Sequence, residues 1–372
     1  MSGGGARAAY QVGVLRALAK RLPELEIPFL TGVSAGAINA VFLASYRGAL
    51  ESAAARLSDL WGGLRTEDVL VAEPAALAGN VVRWGARLVS GGSHVGPAAR
   101  GMVDTTPLRR LLGRTLVGSR GGDSERIPGI AENLRSGTLE AVAVTTTNYS
   151  TGQSVTWVDG PDFVPWQRPF RVGVKAELNV EHILASSALP LVFPAIQIGT
   201  DWHGDGGIRL TAPLAPALHL GADRILVIGT RRARPSDPRS DAAAPAYPPP
   251  AQIAGVMMNT VFLDMLDEDV THLSRMNALI KELPNKSASP FRQVDVLVIR
   301  PTLDLARLAR EHEHELPTSF RFLTRGWGTK ELASPDTLSM LMFEGGYARA
   351  LMDLGEADAT ARMGEIVAFL SA

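Results

Sequence analysis

Over residues 8–20, Val12, Leu15, Leu18 and Ala19 fall on one side of a helical projection and Arg16 and Lys20 on the other, so a helix is predicted there. IPFLTGV follows as a short apolar run and reads as a buried strand ending at Gly32, and AGAINAVFLASY, small and apolar throughout, reads as a helix beginning just after Ser34. Residues 49–115 are mostly helical in pattern but broken by glycine and proline, and 89–102 reads as a mobile loop. Within that region Leu77, Val81, Trp84 and Leu88 form a stripe opposed by Arg83 and Arg87. Such a stripe suits a helix packed on the core or an amphipathic lid facing lipid.

Alternation resumes over 139–158, where two strands are predicted on either side of a turn at Asn148–Gly152. NVEHILASSALPLVFPAIQI gives a short helix, a proline-rich bend and a strand, and WHGDGG comes directly after it. A helix over APLAPALHLGA and a strand over RILVIGT make a further α/β unit. Residues 234–252 read as a Pro- and Ala-rich surface loop, 253–281 as a long helix, 294–301 as an apolar strand and 303–372 as helices with charged faces. Strands scattered among helices along the whole chain predict an α/β fold with a central, mostly parallel sheet flanked by helices. The expected division is a catalytic domain over 1–300 and a helical C-terminal extension over 301–372 packed on it.

Charge alters this picture little: 37 basic and 38 acidic residues give a formal net charge of −1, which supplies no bulk field for nucleic acid. The absence of cysteine removes disulfides, thiolate metal sites and cysteine nucleophiles together. No apolar run approaches the roughly 18 residues that span a bilayer, and MSGGGARAAY lacks the layout of a signal peptide. The expectation is a cytoplasmic protein, at most peripheral and transient at a membrane surface.

The candidate chemistry begins with Gly32, Ser34 and Gly36, a G-x-S-x-G pattern between a predicted strand and a predicted helix. There a serine is lifted clear of the sheet, small neighbours let the turn close, and the Ala35 N–H at the helix start can stabilise an oxyanion. The other reading of Ser34 is a helix cap in a glycine-rich turn. Gly3, Gly4 and Gly5 can present successive N–H groups to an anion, or form a flexible leader. Arg7, just after them, could hold a phosphate, stabilise the loop or be a solvated surface residue. Asp205, between Gly204 and Gly206 at the end of a predicted strand, is a turn residue or a base for Ser34.

Taken together and in this order, GGGAR, GVSAG and DGG resemble the patatin-like phospholipases, as does ASSALPLVFPA at 185–195 ahead of the aspartate. The resemblance covers roughly residues 2–230. It implies a patatin-like fold and a lipid acyl hydrolase of phospholipase A or lysophospholipase type, with Ser34 as nucleophile and Asp205 as base. It also implies Gly3, Gly4 and Gly5 as the oxyanion loop, a lipid or acyl-ester substrate, and no metal or cofactor.

The chain departs from the family pattern at its start, where Met1 and Ser2 stand in place of a strand before the glycines, and at Ala8, where a glycine is common. The glycine loop is therefore expected to fray and to hold its oxyanion weakly. Two other readings compete: a patatin-like protein that binds lipid without turnover, and a Ser–His–Asp esterase drawing on His312 or His314.

Overall fold

The computed structural model describes residues 1–71, 79, 101–118, 125–232, 265–282, 291–318, 320–321 and 336–371. The stripe at Leu77–Leu88 and the stretch 234–252 lie outside the described residues, as does most of 89–102. Gly5–Ala8 forms a 3-10 turn that runs straight into α1 (Ala9–Arg21), followed by β1 (Phe29–Val33), α2 (Ala35–Ser45) and α3 (Leu50–Gly62). After α4 (Thr106–Leu112) and α5 (Pro128–Ser136) come β2 (Ala141–Asn148), β3 (Ser154–Asp159), β4 (Trp166–Arg168) and β5 (Arg171–Lys175). α6 (Val180–Ser186) leads to β6 (Ile196–Ile198) and β7 (Asp201–Asp205), then α7 (Ala215–Leu220), β8 (Arg224–Ile228), α8 (Met265–Glu282) and β9 (Asp295–Ile299). The chain closes with α9 (Leu305–Glu311), α10 (Asp336–Leu341), α11 (Gly345–Ala361) and α12 (Met363–Ser371). No described helix is long and apolar enough to cross a membrane.

The α/β architecture matches the sequence reading, but the pairing is mixed where a mostly parallel sheet was expected. β1–β2 and β3–β5 are parallel, whereas β2–β3, β2–β7, β4–β5 and β6–β7 are antiparallel. Tight turns are the reason: the Asn148 side chain accepts from Ser150 N and Thr151 N, and a chain reversed within so few residues can only pair antiparallel. Two parallel strands, β8 and β9, form a separate small sheet.

β2 lies at the centre and is buried along its whole length. Its edge opposite β3 is shared by two strands: β1 pairs with Ala141–Thr145, and β7 takes over from Thr146 to Asn148, running the other way. The last residues of β1 and β7 thus meet end to end against consecutive residues of β2. The principal core runs from Tyr10, Leu15 and Leu18 of α1 to Tyr347 and Leu351 of α11, so the C-terminal helices share one apolar interior with the N-terminal ones.

Candidate active site

Since β1 ends at Val33, opposite Thr145, the next position along β2 would fall to Ser34, but Asp205 occupies it as the partner of Thr146. The chain turns out of the sheet at Ser34 with φ 55° and enters α2 at Ala35. A positive φ is costly for a side-chain-bearing residue and persists only where its surroundings fix it. Here the Ser34 N–H donates to Ser186 Oγ (3.0 Å), which donates in turn to the Thr145 carbonyl (2.7 Å). Gly32 has to be bare because a Cβ there would sit 2.5 Å from the Gly36 carbonyl. Gly36 has to be bare because the Ser2 carbonyl crosses directly over it.

Asp205 is fully buried. Its N–H donates to the Ala188 carbonyl (3.0 Å), its carbonyl accepts from Thr147 Oγ1 (2.8 Å), and Oδ1 accepts from the Gly207 N–H (2.8 Å). The second carboxyl oxygen, Oδ2, is buried and has no hydrogen bond of good geometry. Burial pushes the carboxyl up to about 7, although the neighbouring Ser34 hydroxyl and the Gly207 N–H both pull it down. The Ser34 hydroxyl is thus close enough to act on the carboxyl electrostatically without a fully formed bond to Oδ2.

The glycine loop lies against this pair: a Cβ on Gly3 would be 2.9 Å from Ser34 Cβ. No N–H of Gly3, Gly4, Gly5 or Ala35 has an acceptor among the described residues, so all four remain available to a ligand. The loop does not fray as its bare sequence suggests. The Met1 ammonium donates to Thr31 O (2.7 Å), Val33 N to Met1 O (3.4 Å) and Ser2 N to Ile228 O (3.3 Å), and Thr230 Oγ1 donates to Gly3 O. Gln11 Nε2 reaches Ser2 O (2.8 Å), and Asn39 ties Gln11 to Trp61 in a buried network beneath the loop.

Met1 and Ser2 bridge β1 and β8, and beside them a cleft of about 900 Å³ opens between the two strands, lined by Thr31, Val33, Ile225 and Val227.

A second cleft is lined by Ser34, Ala35 and Gly5. Ile38, Phe42, Leu57, Trp61, Leu112 and Phe343 line it, and nearly all of its surface is apolar. One fully buried polar atom of these lining residues has no hydrogen-bond partner, the Oγ of Ser187.

Arg7 does not face this cleft, which corrects its reading as a phosphate contact. It is 3% exposed, with Nε donating to Ser339 Oγ (2.8 Å) and a terminal nitrogen 2.5 Å from Asp336 Oδ1. Its task is to join the 3-10 turn behind the glycine loop to α10, since a buried guanidinium must be paired. Five of the described histidines are engaged elsewhere: His182 with Asn179 Oδ1, His203 with Thr146 Oγ1, His312 with Glu315, His314 with the Glu311 carbonyl, and His219 stacked on Trp166. None of these contacts reaches Ser34.

Sequence reasoning did not single out Ser186, which fixes the elbow. Its signal lay in the segment ASSALPLVFPA, where two adjacent serines end a helix just before the aspartate strand. It did not single out Thr145 or Thr146 either, because their part lies in register alone.

A family model described as patatin-like phospholipase matches residues 1–218. No curated protein matches the chain. Among solved structures, the crystal structure of VipD from Legionella pneumophila aligns at 13% identity with a TM-score of 0.32, over 96% of this chain and 66% of that one. A score that low supports no statement about activity.

Proposed function

The chain belongs to the patatin-like phospholipase family, whose members are lipid acyl hydrolases, and on that premise we propose that it cleaves fatty acyl esters of phospholipids or lysophospholipids through a Ser34–Asp205 dyad. Asp205 accepts the Ser34 proton as Oγ attacks the ester carbonyl, and the N–H groups of Gly3, Gly4, Gly5 and Ala35 receive the oxyanion. The alcohol or lysolipid departs with the proton. Water then enters and gives a proton to Asp205 as its oxygen attacks the acyl carbonyl, and Asp205 returns that proton to Ser34 Oγ as the C–Oγ bond breaks and the fatty acid leaves. The acyl chain lies in the apolar cleft that starts at Ser34.

The observation that carries this reading is the buried Asp205 beside a strained serine, with its pKa raised to about 7. A free carboxylate, at about 3.9, is too weak a base for serine at neutral pH, whereas a desolvated one near the working pH is well matched.

A fluorophosphonate probe tests it. Ser34 is expected to be labelled at a rate that rises about tenfold per pH unit below pH 7 and levels off above it, as Asp205 loses its proton. The Ser34→Ala chain should take up no probe. If the folded chain stays unlabelled, binding of lipid without turnover is the better reading. If a single histidine change abolishes labelling while Asp205→Asn leaves it intact, the dyad assignment is wrong.

A further inference from the structure

Three non-glycine residues among those described have a positive φ: Ser34 (55°), Phe170 (60°) and Leu191 (67°). The first is the proposed nucleophile. The other two are large apolar side chains held in water, 63% and 67% exposed. Each carries a double cost, backbone strain and apolar exposure.

Register fixes where they stand. Phe170 O accepts from Ser154 N, at the end of the sheet where β2 turns into β3. Tyr149 and Trp202 are at the same end, joined by the Tyr149 N–H to the Trp202 carbonyl, and both are more than two-fifths exposed. The loop with Leu191 is anchored farther in, where Ala188 O accepts from the N–H of Asp205, the partner of Thr146. β1 points toward this end but stops at Val33, opposite Thr145, so Ser34 lies short of it, beside the middle of β2.

Charge accompanies the apolar groups. Phe170 forms the tip of the β4–β5 turn in the run Arg168-Pro169-Phe170-Arg171. Arg209, exposed just after the aspartate loop, lies over the Phe170 ring at 5.1 Å from its centroid and donates from Nε to the Gly152 carbonyl. Among the acidic groups nearby, Asp201 accepts from Asn148 Nδ2. Strained apolar tips, amphipathic aromatics and arginines fit the boundary of an anionic phospholipid layer, where rings sit at headgroup depth and guanidinium groups meet phosphates.

We propose that this end of the sheet docks on an anionic phospholipid surface through Phe170, Leu191, Tyr149 and Trp202, with Arg168, Arg171 and Arg209 on the phosphates. This deepens the hydrolase reading and rests on it for why docking is useful: the mouth of the acyl cleft would face the layer that holds the substrate.

Vesicle co-sedimentation in the Ser34→Ala background tests docking without turnover. Phosphatidylcholine vesicles with and without phosphatidylglycerol are the probes. The Ser34→Ala chain should bind the anionic vesicles more tightly, with added salt reversing the difference. Adding Phe170→Gly and Leu191→Gly should weaken binding about tenfold or more. The same two changes should leave the melting temperature equal or higher, because glycine relieves the strain at both positions. A lowered melting temperature with binding intact would mean that the two side chains serve the fold, and would overturn the proposal. So would the absence of vesicle binding, or self-association of the parent chain that the glycine variant abolishes, which would assign the patch to a second copy. Hydrolysis of a soluble short-chain ester by the chain with Ser34 intact is read separately. If that is absent while vesicle binding holds, the hydrolase reading fails and the docking surface stands.

Discussion

Asp205→Asn is expected to lower kcat by about 10³-fold and, at the same time, to raise the melting temperature at alkaline pH. The first effect follows from losing the group proposed to take the Ser34 proton. The second follows from linkage. In the folded chain the carboxyl holds its proton up to about pH 7, against 3.8 for an unperturbed aspartate. Where folding raises a pKa, the contribution to stability is fully present below the unfolded value and is lost as pH rises through the folded one. Above pH 7 the fold therefore carries an ionised, desolvated carboxylate, at an order-of-magnitude cost of about 4 kcal/mol.

Asparagine keeps the acceptor for the Gly207 N–H and removes the charge. Its gain in melting temperature should be several degrees near pH 9 and vanish near pH 4. Thermal scans at the two pH values, beside turnover of a soluble ester, check both halves. A variant that is inactive and also less stable near pH 9 would mean that Asp205 holds the fold together, contrary to its assignment as a base.

Much of this site is legible in the amino-acid sequence, and the reason is local. Gly32, Ser34 and Gly36 announce a turn, and at Gly32 the constraint acts within a few residues, because a Cβ there would strike the Gly36 carbonyl and Ala37. The strand and helix on either side are readable for the same reason, from their own apolar patterns. The meeting of Ser34 with Asp205 is legible only as a juxtaposition of motifs. What brings it about is register, with β1 and β7 sharing one edge of β2 and changing over between Thr145 and Thr146. Periodicity says which face a residue takes and nothing about its neighbour along a strand edge.

Arg7 shows the same limit from the other side. Beside a glycine loop it invites a ligand, yet its partners Asp336 and Ser339 lie more than 300 positions away in sequence. The pattern of alternating strands and helices suggests a mostly parallel sheet because it hides hairpins such as β6–β7, whose strands are too short to display a period.

The glycine loop carries the other large expected effect. Gly5 has φ 57°, and a Cβ there would drive into the Met340 carbonyl at the end of α10. Alanine at this position has to move the loop, because backbone cannot yield as a flexible side chain can. Oxyanion donors work by standing in place before charge develops, and misaligning one costs about 10²–10³ in rate. Gly5→Ala should therefore lower kcat by at least that factor and slow probe labelling of Ser34 in proportion, with a stability loss of about 1–3 kcal/mol.

Gly137→Ala supplies the control. That glycine also has a positive φ, 77°, at the C-terminal cap of α5, but a Cβ there would meet nothing within 4 Å. It should share the stability loss from strain, about 1 kcal/mol, and leave turnover untouched. If both variants lose activity alike, the loss reports general destabilisation and Gly5 has no special part in the oxyanion loop. If only Gly5→Ala loses it, the contact with α10 becomes a functional one, since the floor that fixes the N–H groups beside Ser34 is then built by residues more than 300 positions from the nucleophile.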